Sequence, residues 1–275
     1  MKNTSFSFGR NWQEFLKKYY SEERLGEAVK SLSEITGLES LADQTFLDIG
    51  SGSGLFSLGA LKLGASRVVS FDVDPDSVAC ARFLKDKFYK DDLRWEIKHG
   101  SILDKNWIRQ SIEPADIVYS WGVLHHTGQM WPAIENAAGL VKPGGLFVIA
   151  IYNKNEKFIS SRAWWHIKRF YNAAPGFVKR IMEALYAVLI VFGHAIKRPL
   201  KFSSRLREQI NYVRNYKSCR GMNFWSDVKD WLGGFPYEYA TCDEITKFFK
   251  KLGFEESRVW SNDGTGCNQF LFVKK

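Results

Sequence analysis

Phe46-Leu47-Asp48-Ile49-Gly50-Ser51-Gly52-Ser53-Gly54-Leu55 is a short apolar strand that runs directly into three glycines at alternate positions. Glycines at such a turn admit dihedrals that side chains disfavour and let the backbone approach a ligand closely. The spacing is GxGxG followed by Leu55, not the stricter GxGxxG, so a nucleotide-like ligand at the strand tip is expected without a required pyrophosphate. Outward from this turn, apolar strands are predicted at 46–49, 67–71, 94–98, 115–120 and 146–151. Each is followed by roughly 15 to 25 residues of turn and helix, the rhythm of a parallel sheet covered on both faces. Right-handed crossovers then give a doubly wound α/β fold. Thr241 and Glu244 form a capping box for a helix ending near Gly253, and strands at 255–261 and 269–274 are joined by Asn262, Asp263 and Gly264. This pair adds an antiparallel edge, for a seven-stranded, mainly parallel sheet.

The flanking segments read differently. Residues 6–37 place Phe8, Trp12, Phe15, Tyr19, Leu25, Val29 and Leu32 at helix-like intervals, with Gly37 as a stop. Two helices covering the mouth or back of the core are expected there. The predicted organisation is a helical cover over 1–40, an α/β core over 41–152, a helical insertion over 153–236 that covers the substrate, and a completing helix and strand pair over 237–275.

A chain of 275 residues with 45% hydrophobic and 25% charged residues excludes disorder, a collagen repeat and a disulfide mini-fold. Cys80, Cys219, Cys242 and Cys267 form no CxxC pair, and Lys2 and Arg10 precede no apolar signal segment, so a reducing, cytoplasmic setting is expected. The net charge of +9 is concentrated: residues 154–220 hold 15 Lys or Arg against the three acids Glu156, Glu183 and Glu208. Such a region is either a solvated surface or a match for an anionic lipid headgroup, phosphorylated substrate or nucleic acid. The ten-residue apolar run 184–193 is about half of what a bilayer crossing needs.

Beyond the glycine turn, Asp72 ends the second strand, and a carboxylate there can accept both ribose hydroxyl hydrogens of a nucleoside lying across the sheet. Asp74, just before Pro75, reads better as a helix cap. Asp48 can orient the loop, meet a cationic part of the ligand or hold backbone N–H groups.

With these residues in place the chain resembles the class I S-adenosylmethionine-dependent methyltransferases, strongly over 43–152 and moderately over 237–274. The resemblance rests on 46–54, on Val69–Val73 at the second strand, on 116–126 at the fourth, and on Val141-Lys142-Pro143-Gly144-Gly145-Leu146-Phe147-Val148. It implies S-adenosyl-L-methionine as cofactor and S-adenosyl-L-homocysteine as product. By this resemblance Gly50, Gly52 and Gly54, with Ser51 between them, approach the methionine part. Asp72 holds the ribose, and Val73 and Ile102 enclose the adenine. Ser101 stands where the family often has an acid for the adenine amino group, with Asp104 as an alternative. Trp121 opens the segment 121–128, which lines the cofactor pocket in many such sequences.

That segment also carries His125 and His126 at the tip of the fourth strand, where open α/β sheets place active sites. An imidazole there can take the proton of an attacking hydroxyl, and at most one of the two is expected to do so. Small-molecule O-methyltransferases of the quinone-biosynthesis type carry a similar Leu-His-His arrangement. No HxH or HxxxH spacing appears, so no metal is expected.

The acceptor is expected under the cover. Tyr152 follows the fifth strand, 218–225 joins Arg220 to Trp225, and 231–239 brings Tyr237 and Tyr239 to the mouth. The last two stretches resemble a bacterial subgroup placed near quinone- and sugar-modifying enzymes. A small-molecule or lipid-linked acceptor methylated on a hydroxyl oxygen is the leading expectation. The alternatives are a catalytically silent cofactor-binding partner and an RNA methyltransferase, the latter disfavoured because no Asn-Pro-Pro-Tyr-like motif follows the fourth strand. Leu185, Val188, Leu189, Val191 and Phe192 give two options: a peripheral membrane contact through 179–201, or a core or homodimer contact.

Overall fold

The computed structural model describes residues 8–156, 159–196, 207, 208, 210, 211, 213, 214 and 224–275, with the backbone alone for residue 19 and residues 192–196. Two helices, α1 (Phe8–Tyr19) and α2 (Glu22–Thr36), precede the sheet, and Gly37 closes α2 in the left-handed region at φ 73°. The core then alternates β1 (Thr45–Ile49), α3 (Leu55–Lys62), β2 (Arg67–Asp72), α4 (Pro75–Phe88), β3 (Trp95–His99), α5 (Lys105–Ser111), β4 (Ala115–Trp121), α6 (Met130–Gly139) and β5 (Val141–Tyr152). After α7 (Ser161–Ala173), α8 (Gly176–Ile196) and α9 (Phe224–Gly233), the chain finishes with α10 (Cys242–Lys251), β6 (Phe254–Trp260) and β7 (Cys267–Lys274).

The seven strands lie in the order β3-β2-β1-β4-β5-β7-β6, parallel from β3 through β5 and antiparallel at β7 and β6. From β1 the chain winds one way to β3 and then returns to β4 and β5 on the other side. The crevice where ligands bind in such sheets therefore opens at the carboxyl tips of β1 and β4. Both faces are buried, as the apolar strands require. Ile102, Ile134, Ile245 and Phe249 belong to one core cluster, and Phe15, Leu32, Leu58 and Ala81 to the other. Thr241 and Glu244 make the capping box of α10.

Every strand differs from expectation by a residue or two at one end or both, and β5 by five at its start. β3 starts at Trp95, not Arg94, and β6 ends at Trp260, before Ser261. β5 starts at Val141, five residues early, and its register against β4 jumps from Ala115↔Val141 to Ile117↔Leu146. The Lys142–Gly145 segment is thus a bulge inside the strand, which sequence periodicity reads as a turn.

The insertion has its own apolar cluster, in which Trp164, Tyr171, Phe224, Val228, Leu232 and Tyr237 are buried. The core alternative for its apolar run fails for Leu185, Val188 and Leu189, which are 51–60% exposed, while Ala187 faces inward. Among the described residues no helix is long and apolar enough to cross a membrane. The Phe192 side chain lies outside what is described.

Candidate active site

Gly50, Gly52 and Gly54 all have positive φ, at 71°, 53° and 78°, so the turn after β1 follows a path closed to ordinary side chains. Asp72, at the tip of β2, ties this turn down. Its Oδ2 accepts from Gly52 N at 3.0 Å and its Oδ1 from Asp74 N at 2.9 Å. Burial raises its pKa above the usual carboxylate value, and the two backbone donors oppose that rise. Each carboxylate oxygen has a further lone-pair direction, so the group can still accept from two hydroxyls. Ser51 Oγ, inside the turn, is buried without a hydrogen-bond partner among the described residues.

Asp48 accepts from the helix that follows the turn, not from the turn itself. Trp95 Nε1 donates to Ser70 Oγ, Ser70 to Ser57 Oγ, and Ser57 to Asp48 Oδ2, at 2.7, 2.7 and 2.5 Å. This buried relay anchors α3 to β1. Burial, with Asp72 nearby, pushes Asp48 up to about 7.

Further along the strand tips, Val73 is 65% exposed, an apolar surface open to a planar ring, while Ile102 is buried in the core behind it. Ser101 Oγ accepts from Leu103 N, and Asp104 is the N-cap of α5. Asp74 caps α4, as its place before Pro75 implies. Trp121 stacks on Tyr119 with ring centres 6.0 Å apart.

The two histidines have different environments. His125 is fully buried; its Nδ1 accepts from Tyr152 N at 3.3 Å, and its ring lies 4.0 Å from that of Tyr152. His126 Nδ1 lies 2.6 Å from Pro236 O, and since a carbonyl only accepts, the proton sits on Nδ1 and Nε2 keeps its lone pair. Phe8 packs on the ring of His126 at 5.0 Å. A Cβ on Gly234 would fall 2.6 Å from its Cε1, so only glycine leaves room for the imidazole there. Burial drives the pKa of His126 down to about 3, and that of His125 well below normal. Both rings are neutral at physiological pH.

Several contributors escaped sequence reasoning. Trp12, read only as a buried leader position, lies over the glycine turn, with its Nε1 2.7 Å from where a Cβ on Gly52 would stand. Its helix also reaches Asp74 through Gly9 N, Asp76 through Gln13 Nε2 and Asp230 through Asn11 Nδ2, at 2.9, 3.1 and 2.8 Å. Lys168, counted with the basic surface, is completely buried. Its Nζ donates to Trp231 O and sits 4.2, 4.9 and 5.4 Å from the rings of Trp231, Tyr237 and Tyr152. Burial pulls its pKa down to about 7. A signal existed in both cases, a tryptophan in the leader and a lysine within Trp164-Trp165-His166-Ile167-Lys168, but not a partner to attach it to.

Of the residues expected to meet an acceptor, Tyr152, Tyr237 and Tyr239 form one chain of rings, at 5.1 and 5.4 Å between neighbours. Trp225 is 50% exposed on α9, apart from them, and Arg220 lies outside the described residues. Against Tyr152, between α8 and α9, is a cavity of about 310 Å³ whose walls include Tyr186, Phe224, Asp227, Asp230 and Trp231. Among the described residues no three His, Cys, Asp or Glu side chains group to hold a metal.

Comparison with known proteins agrees with this layout. A sequence family described as a methyltransferase domain matches residues 47–147. Ribosomal protein L11 methyltransferase of Bacillus cereus is 36% identical over 130 residues, covering 46% of this chain and 38% of that one. The chain thus spans well under half the length of such curated relatives. Magnesium protoporphyrin IX methyltransferase from Synechocystis, with S-adenosylhomocysteine bound, aligns with a TM-score of 0.56 over 97% of this chain and 94% of that one, at 13% identity. An O-methyltransferase family protein from Burkholderia thailandensis gives 0.52 over 89% and 55%, at 15% identity. At such identities the likeness is one of fold.

Proposed function

We propose, from the methyltransferase-domain match over residues 47–147, that the chain uses S-adenosylmethionine to methylate a hydroxyl oxygen of a small-molecule or lipid-linked acceptor. The observation that carries this reading is the pairing of the glycine turn with Asp72: a carboxylate held by Gly52 N beside the unpartnered Ser51 Oγ, at the tips of adjacent strands. These residues suit an adenosine-bearing ligand. Gly50–Gly54 would hold its methionine part, Asp72 its ribose, and Val73, Ser101 and Ile102 its adenine. When bound, the cofactor supplies a methyl group on a positively charged sulfur, which already has a good leaving group.

The protein's share is then mainly alignment, which can contribute several kcal/mol to a barrier when the reacting atoms are held in line. His126 offers Nε2 to the acceptor hydroxyl. An imidazole whose conjugate acid has a pKa of about 3 is a weak general base near neutrality. Its role in this reading is therefore to accept the hydroxyl's hydrogen bond and point the oxygen; as the O–CH3 bond forms and the S–CH3 bond breaks, the hydroxyl proton passes to solvent water. His125 supports this by fixing Tyr152 N, and Tyr152, Tyr237 and Tyr239 bound the acceptor side. The L11 relatives share too little of their length to carry a protein acceptor over to this chain.

A lipid-linked acceptor is favoured by one feature of α8. Phe177, Ile181, Leu185, Val188 and Leu189 recur along one exposed face, with Arg180 on its flank, which suits a helix lying on an anionic surface.

Calorimetric titration with S-adenosylhomocysteine tests the cofactor reading. The wild type should bind saturably and Asp72→Ala should lose on the order of 10- to 100-fold, the worth of charge-assisted hydrogen bonds. Unchanged affinity in the variant would remove Asp72 from the ribose site. Labelled methyl transfer into lipid, quinone, sugar, RNA and protein fractions then identifies the acceptor, and incorporation confined to protein or RNA would overturn the hydroxyl reading.

A further inference from the structure

The cavity between α8 and α9 has a composition that narrows its ligand. Tyr152, Tyr186, Phe224 and Trp231 supply aromatic walls, Ile190 and Val228 add apolar surface, and the polar groups are the carboxylates of Asp227 and Asp230. At about 310 Å³ it falls at the small end of ordinary ligand pockets. Its position connects it to the strand tips, because the Tyr152 ring on its wall also contacts His125 at 4.0 Å and His126 at 5.4 Å. Among the described residues Lys168 is fully buried, tied to Trp231 O and not part of the cavity wall.

Asp230 is the group that can read a ligand. Asn11 Nδ2 occupies its Oδ1 at 2.8 Å, which leaves Oδ2 open to a donor. We infer that this cavity binds a neutral or cationic ring bearing a hydroxyl or amino hydrogen, which Asp230 accepts, and that it discriminates against the phosphorylated or carboxylated form of the same ring. That this ring is the methyl acceptor rests on the function proposed above; the charge preference does not.

The electrostatics agree. Burial, reinforced by Asp227, pushes Asp230 up to about 8, so the site resists negative charge and near neutrality holds a proton on Oδ2, and a donor or cationic ligand binds by favouring the ionised form that accepts. An anionic ligand meets the same penalty, and a hydroxylated ring does not. A buried polar group built to pair with a donor also discriminates strongly against ligands that lack one.

The test uses the full chain and four matched probes, 2-naphthol, 2-naphthylamine, 2-naphthoate and 2-naphthyl phosphate, titrated by calorimetry with and without S-adenosylhomocysteine. Naphthol and naphthylamine should bind saturably, with both anions at least about tenfold weaker. Asp230→Asn should narrow that gap, and Val228→Trp should weaken all four probes by filling the cavity. Cofactor affinity and the thermal melt report whether each variant is folded. Anions that bind as well as naphthol, or a gap unchanged in Asp230→Asn, would overturn the assignment. Loss of cofactor binding with the ring preference intact would instead sink the methyltransferase reading and leave the cavity assignment supported.

Discussion

His126 links the geometry of the site to a measurable pH dependence. Its folded-state pKa is about 3, against 6.5 for a free imidazole. Above about pH 7 both folded and unfolded chains carry it neutral, and it makes no pH-dependent contribution. As pH falls below 6.5 the unfolded chain takes up the proton and the folded chain does not. Stability is therefore lost progressively from pH 6.5 towards pH 3 and levels off beyond it. By about pH 5 a gap of roughly 1.5 units has opened, which converts to about 2 kcal/mol. His126 is only partly buried, so about 1–2 kcal/mol is the reasonable expectation. Urea unfolding of wild type and His126→Gln at about pH 7.5 and pH 5 measures it. The variant should lose about 1–2 kcal/mol less than the wild type on acidification. Equal losses, or a His126 Cε1 proton titrating near 6.5 by NMR, would show an accessible imidazole and restore it as a candidate general base.

Other outcomes follow from the same structure. Asp48, held up to about 7 by burial, has the opposite pH signature: the folded chain keeps a proton that the unfolded chain loses, so stability falls as pH rises from about 4 to 7. Asp48→Asn should remove on the order of 4 kcal/mol of that fall, read from the same urea curves, and an unchanged pH slope would contradict the buried relay. Gly50→Ala puts a Cβ 2.3 Å from Val123 Cγ1 at a φ of +71°, so a loss of about 1–3 kcal/mol and impaired cofactor binding are expected. Val123→Ala in the same chain should restore part of the stability, and a Gly50→Ala chain with a wild-type melt would refute the crowding. If α8 meets lipid, the protein should sediment with anionic vesicles and not with neutral ones, and Leu185→Glu with Leu189→Glu should abolish it; equal sedimentation of that variant would exclude this face.

The sheet was legible because its signals are local. A strand entering Gly50, Gly52 and Gly54, and a carboxylate at the end of the next strand, are properties of ten or twenty consecutive residues. The contacts that complete the site are between distant residues: Phe8 on His126, Trp12 over Gly52, Asn11 on Asp230, and Lys168 under Trp231. No periodicity encodes such pairs. Lys168 was therefore counted with the solvated charge, although its aromatic neighbours and a carbonyl hold it inside. The bulge in β5 was missed because Pro143, Gly144 and Gly145 are ordinarily punctuation, and only pairing with β4 shows the chain continuing through them.

The helix α1 is fastened at both ends of the crevice. Gly9 and Gln13 bind Asp74 and Asp76 beside the β2 tip, and Asn11 binds Asp230 on the wall of the cavity between α8 and α9. Twelve residues therefore bar two doors with one bolt: any swing of α1 that uncovers Gly52 also pulls Asn11 away from Asp230. A rigid-body displacement of α1 would therefore break its bonds to Asp74, Asp76 and Asp230 together.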